Sequence, residues 1–278
     1  MTKIYSLRDR VKVVMGMLSI ATLAAFILGC GTVPTPQTAP TELQVATSGG
    51  FSAAFSELSP QYSVATGTRI VTSHGPSMGD TFNAIPARLA RQEPLDVVIL
   101  ARSALDRLVD DGKVVPGSEV DLVVSRIAVV VRAGTPAPDI STPEALRAAL
   151  LNARSVAWSD SASGVYIQST MLARLGVADE VLPKGRMIRA TPVGEIVARG
   201  EAEIGFQQLS ELLPVQGIQI VGFLPDELQH ATTFSGGIVA YSPRREEGIR
   251  LLEFLSSPDA DAVIRRSGLE PSARPTVR

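Results

Sequence analysis

The sequence predicts an α/β protein with two doubly wound lobes and a ligand cleft between them. Short apolar runs alternate with segments of helical periodicity between residues 43 and 112, and this alternation returns between residues 155 and 208. Tight turns rich in Gly and Ser follow several of the apolar runs. With 278 residues, of which 45% are hydrophobic, the chain is long enough for one or two domains with a sizeable core.

The first lobe is predicted to begin with a strand, a turn and a helix. Residues 43–47 form an apolar run that suits a buried strand. Apolar residues then recur at the spacing of a helix face: Phe51, Ala54, Phe55 and Leu58. We expect this helix to end in a turn over residues 60–67. The other strands and helices of this lobe are expected at residues 68–72, 81–90, 94–100 and 103–111, with Ser103 capping the last helix.

A crossover rich in β-formers leads to the second lobe. Residues 120–131 have the composition of strands and are interrupted at Ser125-Arg126. A helix is expected to open at Pro143, because proline is favoured in the first helical turn. Further strands are expected at residues 155–158, 188–191, 203–206 and 233–240, and helices at residues 166–175, 193–199, 249–255 and 260–266. The chain has no repeat of fixed period, which excludes a solenoid.

Four turns in these two lobes share one design. Each follows an expected strand and opens an expected helix: Ser48-Gly49, Ser77-Met78-Gly79, Ser163-Gly164 and Val193-Gly194. In open α/β sheets such turns gather at the carboxyl ends of the strands, where ligands bind. They offer serine hydroxyls and backbone N–H groups, and the helix N-termini add partial positive charge. The turns therefore predict a site for a small anion held by neutral donors.

Composition narrows the kinds of partner. A formal net charge of -2, with scattered Lys and Arg, argues against the clustered basic surface of a nucleic-acid-binding protein. Low aromatic content leaves few platforms for stacking bases. Cys30 is the single cysteine, so no internal disulfide can form. One cysteine and two distant histidines give no usable spacing for a metal site, and we expect no metal and no cofactor.

The N-terminus has the layout of an export signal. Basic residues precede an almost wholly apolar run over residues 13–28, slightly shorter than a membrane span requires. The run ends at Ile27-Leu28-Gly29-Cys30, which resembles the lipobox of bacterial lipoproteins. That resemblance implies lipidation of Cys30, with residues 1–30 as the signal peptide and residues 31–41 as a Pro/Thr-rich tether. The alternative is an uncleaved membrane anchor. Either places the folded part outside the cytoplasm, in the periplasm or at the cell surface.

Over almost all of its remaining length the chain resembles the periplasmic solute-binding proteins of ABC transporters, in particular the molybdate-binding branch. Ala46-Thr47-Ser48 is similar to that family's Ala-Ala-Ser after the first strand, and Ser77 falls where its second ligand serine does. Three further stretches are similar to family segments: residues 94–99, 112–118 and 203–206. No single motif is specific, and it is their order and spacing together that identify the family.

The resemblance implies a type II periplasmic binding fold, in which two lobes joined by two crossovers close on the ligand. It places lobe 1 at residues 42–124 and 239–278, and lobe 2 at residues 125–238. In the family, serines and main-chain amides hold the ligand; they carry over to Ser48, Ser77, Ser163 or Gly164, and Val193. We therefore expect a monomeric receptor, not an enzyme. It would deliver a small oxyanion, such as molybdate or tungstate, to an ABC transporter permease, and its N-terminal lipid would hold it to the membrane.

The chain departs from the family after the strand at residues 203–206. Molybdate binders place a tyrosine hydroxyl there, and this chain has Gln207-Gln208. An amide also donates hydrogen bonds, with a different reach, and we assign Gln208 to the site. The departure leaves a larger or carboxylate ligand open. One alternative is a tricarboxylate binder or an enzyme similar to aconitate isomerase, with His74, Arg126 and Gln208 as candidates. Another is a sensory or adhesive lipoprotein that has lost transport.

A hydrolase is a further interpretation of the second turn. Gly75-Pro76-Ser77-Met78-Gly79 fits the G-x-S-x-G nucleophile elbow, which needs a later acid and histidine. His230 is the only later histidine, and Pro76 is awkward at such a turn. We therefore favour a binding role for Ser77.

Four other polar residues lie near the predicted site or the crossover. His74 is either a surface residue or a group that senses the ligand. Arg126 either reaches a ligand carboxylate or pairs with an acid at the lobe boundary. Asp160 and Glu195 lie beside anion turns, and we expect both to point away because a carboxylate would repel the ligand.

Overall fold

The computed structural model describes residues 41–273, which form two β-sheets flanked by helices. The expected signal peptide, Cys30 and nearly all of the tether lie outside the described residues. The strands are β1 (Glu42–Thr47), β2 (Arg69–His74), β3 (Val97–Ala101), β4 (Val120–Ser125), β5 (Ile127–Arg132), β6 (Val156–Ser159), β7 (Gly185–Ile188), β8 (Ile204–Gln208), β9 (Ile218–Phe223), β10 (Thr232–Ile238) and β11 (Glu270–Pro271).

The helices lie between these strands and at the C-terminal end. They are α1 (Gly49–Thr66), α2 (Ile85–Ala90), α3 (Arg102–Asp110), α4 (Pro143–Asn152), α5 (Ala162–Tyr166), α6 (Leu172–Arg174), α7 (Ala178–Val181), α8 (Val193–Ala198), α9 (Leu209–Leu212), α10 (Arg245–Leu255) and α11 (Asp261–Arg266). A π-helical turn (Ile167–Met171) joins α5 to α6. Among the described residues, no helix combines the length and the apolar character that crossing a membrane requires.

The first sheet has the order β11-β4-β10-β3-β1-β2. Strand β1 pairs in parallel with β2 and with β3, whereas β10 runs antiparallel to β3 and β4. Every residue of β3 is buried, because α1 and the C-terminal helices cover one face of the sheet and α2 and α3 cover the other. A strand covered on both faces is expected to be a continuous apolar run. We call this sheet with its helices lobe 1.

The second sheet has the order β7-β6-β8-β5-β9. Strand β6 pairs in parallel with β7 and β8, and β5 runs antiparallel to β8 and β9. Two separate apolar clusters cover its faces, one around Trp158 and Phe206 and the other around Val130 and Val193. We call this sheet with its helices lobe 2. The predicted α/β fold with two doubly wound lobes is confirmed.

The first helix is longer than expected. We expected it to end over residues 60–67, but α1 continues through Pro60 as far as Thr66, where Gly67 caps it at φ 73°. The extra turns bury Tyr62, whose ring lies 5.4 Å from that of Phe254. Tertiary packing of this face therefore outweighs the hydrogen bond that proline removes.

Several other boundaries also differ from the expectation. Helix α2 begins at Ile85, not residue 81, because Pro86 favours a helix start there, and Phe82 stays exposed under the guanidinium of Arg91. Helix α3 begins at Arg102, so Ser103 is not its cap. Helical structure after β6 begins at Ala162, earlier than expected. We expected a strand at residues 188–191, but β7 ends at Ile188. Ala190 has φ 57°, which is not an extended conformation. We did not predict α9 or β9.

The chain returns to lobe 1 earlier than the lobe boundaries that we predicted from the sequence. Residues 232–238, which we placed in lobe 2, form β10 between β3 and β4 of lobe 1. Gly236 and Gly237 fit this central position, because a β-carbon at Gly236 would lie 2.2 Å from a methyl group of Leu252. The lobes therefore exchange chain at two places, between Ser125 and Ile127 and again before Thr232.

Candidate functional site

Ser48 lies at the carboxyl end of β1 and precedes α1. Its backbone N–H donates to the carbonyl of Ile99, which fixes the turn against β3. The side chain is 1% exposed, makes no capping hydrogen bond, and its hydroxyl has no partner among the described residues. A buried hydroxyl without a partner costs free energy, so such a group signals that something else is meant to meet it.

Ser77 lies in the loop after β2 and is fully buried. Its hydroxyl accepts a hydrogen bond from the backbone N–H of Ala101 at 3.0 Å. Its own backbone N–H donates to the hydroxyl of Ser161 in lobe 2 at 3.4 Å. We had expected this loop to open a helix directly. It does not, because α2 begins only at Ile85.

The turn after β6 supplies the facing groups of lobe 2. The hydroxyls of Ser163 and Ser159 lie 3.1 Å apart, and both side chains are buried. Gly164 is needed for packing, because a β-carbon there would lie 1.6 Å from the carbonyl oxygen of Ser159. The residue of this turn that reaches lobe 1 is Ser161, which the sequence analysis did not single out.

Two consecutive glutamines end β8 and point in different directions, as alternation along a strand requires. Gln207 accepts a hydrogen bond from the backbone N–H of Val193 at 2.8 Å, so it meets the fourth predicted turn. Gln208 instead donates to the hydroxyl of Thr232 at 3.0 Å, and its carbonyl oxygen has no partner within the described residues. The glutamine that contacts a predicted anion turn is therefore Gln207, whereas we had assigned Gln208.

An acid that the sequence analysis missed joins this group. The amide nitrogen of Gln207 donates to Oε2 of Glu211 at 2.5 Å. The same carboxylate oxygen lies 2.5 Å from where a β-carbon of Gly49 would stand, so Glu211 reaches the N-terminus of α1 in lobe 1. Burial raises the pKa of Glu211 to about 7, the negative charge of Asp160 adds to the effect, and the hydrogen bond from Gln207 opposes it.

Asp160, which we expected to point away from the ligand, is partly buried. Its Oδ2 is buried and has no hydrogen-bond partner in the described part of the chain. Burial raises the pKa of Asp160, whereas backbone N–H groups and the charge of Arg189 act in the opposite direction. Glu195, by contrast, is exposed and lies 3.7 Å from Arg199, which agrees with the expectation that it points away.

The two lobes touch directly at the base of the site. The hydroxyl of Ser210 on α9 donates to the carbonyl of Gly50 on α1 at 2.7 Å. Together with the contact between Ser77 and Ser161, this bond makes two direct contacts between the lobes. The contacts between the lobes therefore involve residues of the first three predicted turns, and Val193 of the fourth turn is linked to them through Gln207 and Glu211.

The remaining candidates lie elsewhere or have other partners. Arg126 pairs with Asp226 at 2.8 Å and stacks on Phe223, so it follows the second of our two interpretations. His74 is exposed, and its ring nitrogen lies 3.0 Å from the hydroxyl of Ser52.

The contacts do not support the hydrolase interpretation. The Ser77 hydroxyl is engaged by Ala101, and the His230 ring stacks on Tyr166 at 4.7 Å. Within residues 41–273, no group of three or more His, Cys, Asp and Glu side chains is arranged to hold a metal.

The sequence and the fold of this chain are similar to those of known proteins. Residues 43–270 match the family model described as bacterial extracellular solute-binding protein. The chain belongs to this family. The solved periplasmic molybdate-binding protein of Azotobacter vinelandii is similar to it in fold, with a TM-score of 0.66, 23% identity, and coverage of 84% of this chain and all of that one. These findings confirm the expected family and its two-lobed fold.

Two curated relatives carry different names. The chain is 50% identical to an aconitate isomerase of a Pseudomonas species over 231 residues, which cover 83% of this chain and 88% of the relative. It is 23% identical to the molybdate-binding protein ModA of Azotobacter vinelandii, over 80% of this chain and 82% of the relative. One relative is thus named as an enzyme and the other as a binding protein.

Proposed function

We propose that this protein is an isomerase that interconverts trans- and cis-aconitate on the solute-binding fold. The observation that carries the proposal is the 50% identity with an aconitate isomerase over most of both chains. The sequence alone led us to favour a receptor over an enzyme. The degree of identity reverses that preference, because the molybdate-binding relative shares only 23% of its residues with this chain.

The reaction requires movement of one proton and no redox partner. A base removes a proton from the methylene carbon of the substrate, and the electron pair of that C–H bond becomes delocalised over the allylic system. The proton is returned at the other end of this system, so the double bond moves by one position and the composition is unchanged. The protein must therefore hold carboxylates and supply a group that exchanges protons near neutral pH.

The acids at the interface favour an organic substrate over a bare oxyanion. A receptor for molybdate needs only hydrogen-bond donors and has no use for a group that exchanges protons. Here the carboxylate of Glu211 lies against Gly49 and that of Asp160 is buried after β6. Such groups have a use where a proton must be moved, and perturbed acids are common at catalytic sites.

The neutral donors remain the groups that hold the substrate carboxylates in this proposal. Ser48 supplies a buried hydroxyl at the N-terminus of the 18-residue helix α1, whose dipole favours an anion. In this proposal Ser77, Ser163 and the backbone around Gly164 and Val193 are further groups that hold the substrate. Gln208 donates to Thr232, the first residue of β10, where the chain returns to lobe 1.

The second candidate is the receptor that the sequence analysis predicted. The buried hydroxyl of Ser48, which has no partner in residues 41–273, suits an oxyanion held by neutral donors, as in a solute-binding protein that serves an ABC transporter. In either case we propose a monomer that lies outside the cytoplasm and is held to the membrane through lipid on Cys30. Mass spectrometry of the membrane-extracted protein tests the lipid directly.

One experiment separates the two candidates. The purified full chain is incubated with trans-aconitate while proton NMR follows the formation of cis-aconitate, and its thermal unfolding is recorded with trans-aconitate, molybdate, tungstate and sulfate. We expect conversion, together with stabilisation by trans-aconitate of about 2.7 kcal/mol at a 100-fold excess over the dissociation constant. A Ser48→Ala variant purified in the same way controls for a contaminating isomerase.

Three other outcomes would each lead to a different conclusion. Stabilisation by molybdate or tungstate, with no conversion of trans-aconitate, would assign the receptor function. Conversion that is equally fast in the Ser48→Ala preparation, at a trans-aconitate concentration well below the dissociation constant, would point to a contaminant and would contradict the proposal. Absence of both conversion and stabilisation would exclude both candidates.

A further inference from the structure

Glu211 occupies a place where three parts of the interface meet. It lies on α9, directly after β8, and Gln207 at the end of β8 donates to its Oε2 at 2.5 Å. That oxygen is also 2.5 Å from the position of a β-carbon at Gly49, the residue that follows Ser48. Only glycine lets the carboxylate of lobe 2 approach the first turn of α1 in lobe 1 this closely.

Gln207 fixes the direction in which this carboxylate points. Its carbonyl oxygen accepts from the backbone N–H of Val193 at 2.8 Å, which leaves its amide nitrogen facing Glu211. The side chain is 3% exposed, so the orientation is held by burial as well as by the hydrogen bonds.

We propose that Glu211 is the base that carries the proton in the isomerisation, and that Gln207 is its positioning residue. This inference rests on the proposed function. The carboxylate accepts the proton from the methylene carbon of the substrate, becomes a neutral acid, and gives the proton back at the other end of the allylic system. Glu211 ends the cycle in the form in which it began, and no other reactant is needed.

The surroundings of Glu211 suit this task. The groups that face its carboxylate are Asp160 from the turn after β6, Gln207 from β8 and the first turn of α1. Glu211 also lines a cavity of about 410 Å³, which it shares with Glu195 and Arg199 of α8. Burial and Asp160 raise the pKa of Glu211 to about 7, so both of its forms are populated near neutral pH. The cavity opens to solvent and gives the acid a route for exchange with water.

The test measures chemistry and binding separately in a Glu211→Gln variant. We expect its conversion of trans-aconitate to fall at least about 100-fold, the usual contribution of a general base, while thermal stabilisation by trans-aconitate remains. In D₂O the wild-type protein should incorporate deuterium into the substrate, and the variant should not. Glu180→Gln, which alters an exposed acid on α7 outside the site, is the matched control and should convert at the wild-type rate.

A Gln207→Leu variant tests the positioning role. Since the hydrogen bond from Gln207 lowers the pKa of Glu211, its loss should move the acidic limb of the pH–rate profile to higher pH. A merely structural role would lower the rate without moving that limb.

Each failure has a distinct meaning. If the wild-type protein does not convert trans-aconitate, the proposed function is wrong. If the wild-type protein converts it and Glu211→Gln does so at a similar rate, the assignment of the base is wrong. Loss of trans-aconitate binding in Glu211→Gln would make Glu211 a binding residue and would also overturn the assignment.

Discussion

Ser48 shows how a single hydroxyl can mark a binding site. A serine before a helix normally accepts a hydrogen bond from the first turn, but Ser48 makes no such bond. Its hydroxyl is buried, and no described residue serves as its partner. The turn therefore keeps a donor free at the N-terminus of α1, where an anion is most stabilised.

Replacement of this residue separates binding from stability. In Ser48→Ala we expect the dissociation constant for the ligand to rise about tenfold, which corresponds to ~1.4 kcal/mol for one lost hydrogen bond to a charged group. The free energy of unfolding without added ligand should stay the same or rise slightly, because an unpartnered buried hydroxyl is removed. Ligand titration and urea denaturation measure the two quantities. Ser56→Ala, on the exposed side of α1, is the control. Unchanged affinity in Ser48→Ala would remove Ser48 from the site.

At the scale of the element, the turn after β6 depends on a close approach of helix and strand. A methyl group at Gly164 would lie 1.6 Å from the carbonyl oxygen of Ser159, and that oxygen belongs to the backbone of β6. Gly164→Ala should therefore lower the free energy of unfolding by about 1–3 kcal/mol, because α5 must shift away from the sheet. Val165→Ala alters the next residue, whose side chain is exposed, and should stay within about 0.5 kcal/mol. Equal effects in the two variants, compared by urea denaturation, would contradict this account.

The same elements show what the sequence could predict. Buried parallel strands such as β3 are continuous apolar runs, and the small-residue turns that follow strands are visible as Ser and Gly pairs. Helix α1 passing through Pro60 was not predictable, since it depends on distant packing of Tyr62. Strand β9 was missed because none of its residues is fully buried and it lacks a clear alternation.

The site itself was predictable only in part. Ser48 and Ser77 follow strands and carry a local signal, and the structure brings both to the interface between the lobes. Gln207 and Gln208 are adjacent in sequence, so the choice between them depends on the register of β8. Glu211 carries no local signal at all, because only the closure of lobe 2 on Gly49 gives it a role. The alternation of side chains along β8 was the one available clue to the choice between Gln207 and Gln208.

On the scale of the whole molecule, the site exists only where the two lobes meet. Lobe 1 contributes Ser48 and Ser77, lobe 2 contributes Ser161, Gln207 and Glu211, and the bond from Ser210 to Gly50 holds the lobes together. Titration of the interface acid should therefore affect the stability of the entire fold, since closure is what buries Glu211.

The sign of this pH dependence follows from the raised pKa. The ordinary value for the Glu211 side chain is 4.5 and burial raises the pKa to about 7, so between these values the folded state binds more protons than the unfolded state. The contribution of Glu211 to the free energy of unfolding is thus fully present below about pH 4.5 and is lost as the pH rises through 7.

Glu211→Gln removes this pH-dependent contribution to the free energy of unfolding. We expect the variant to be more stable than the wild-type protein above about pH 8, by an amount on the order of 1–3 kcal/mol, with the difference shrinking toward pH 5. Urea denaturation at pH 5, 6, 7 and 8 measures it, and Glu195→Gln, which alters an exposed acid, should follow the wild-type curve. Parallel curves for the wild-type protein and Glu211→Gln would show that Glu211 does not change its protonation on folding.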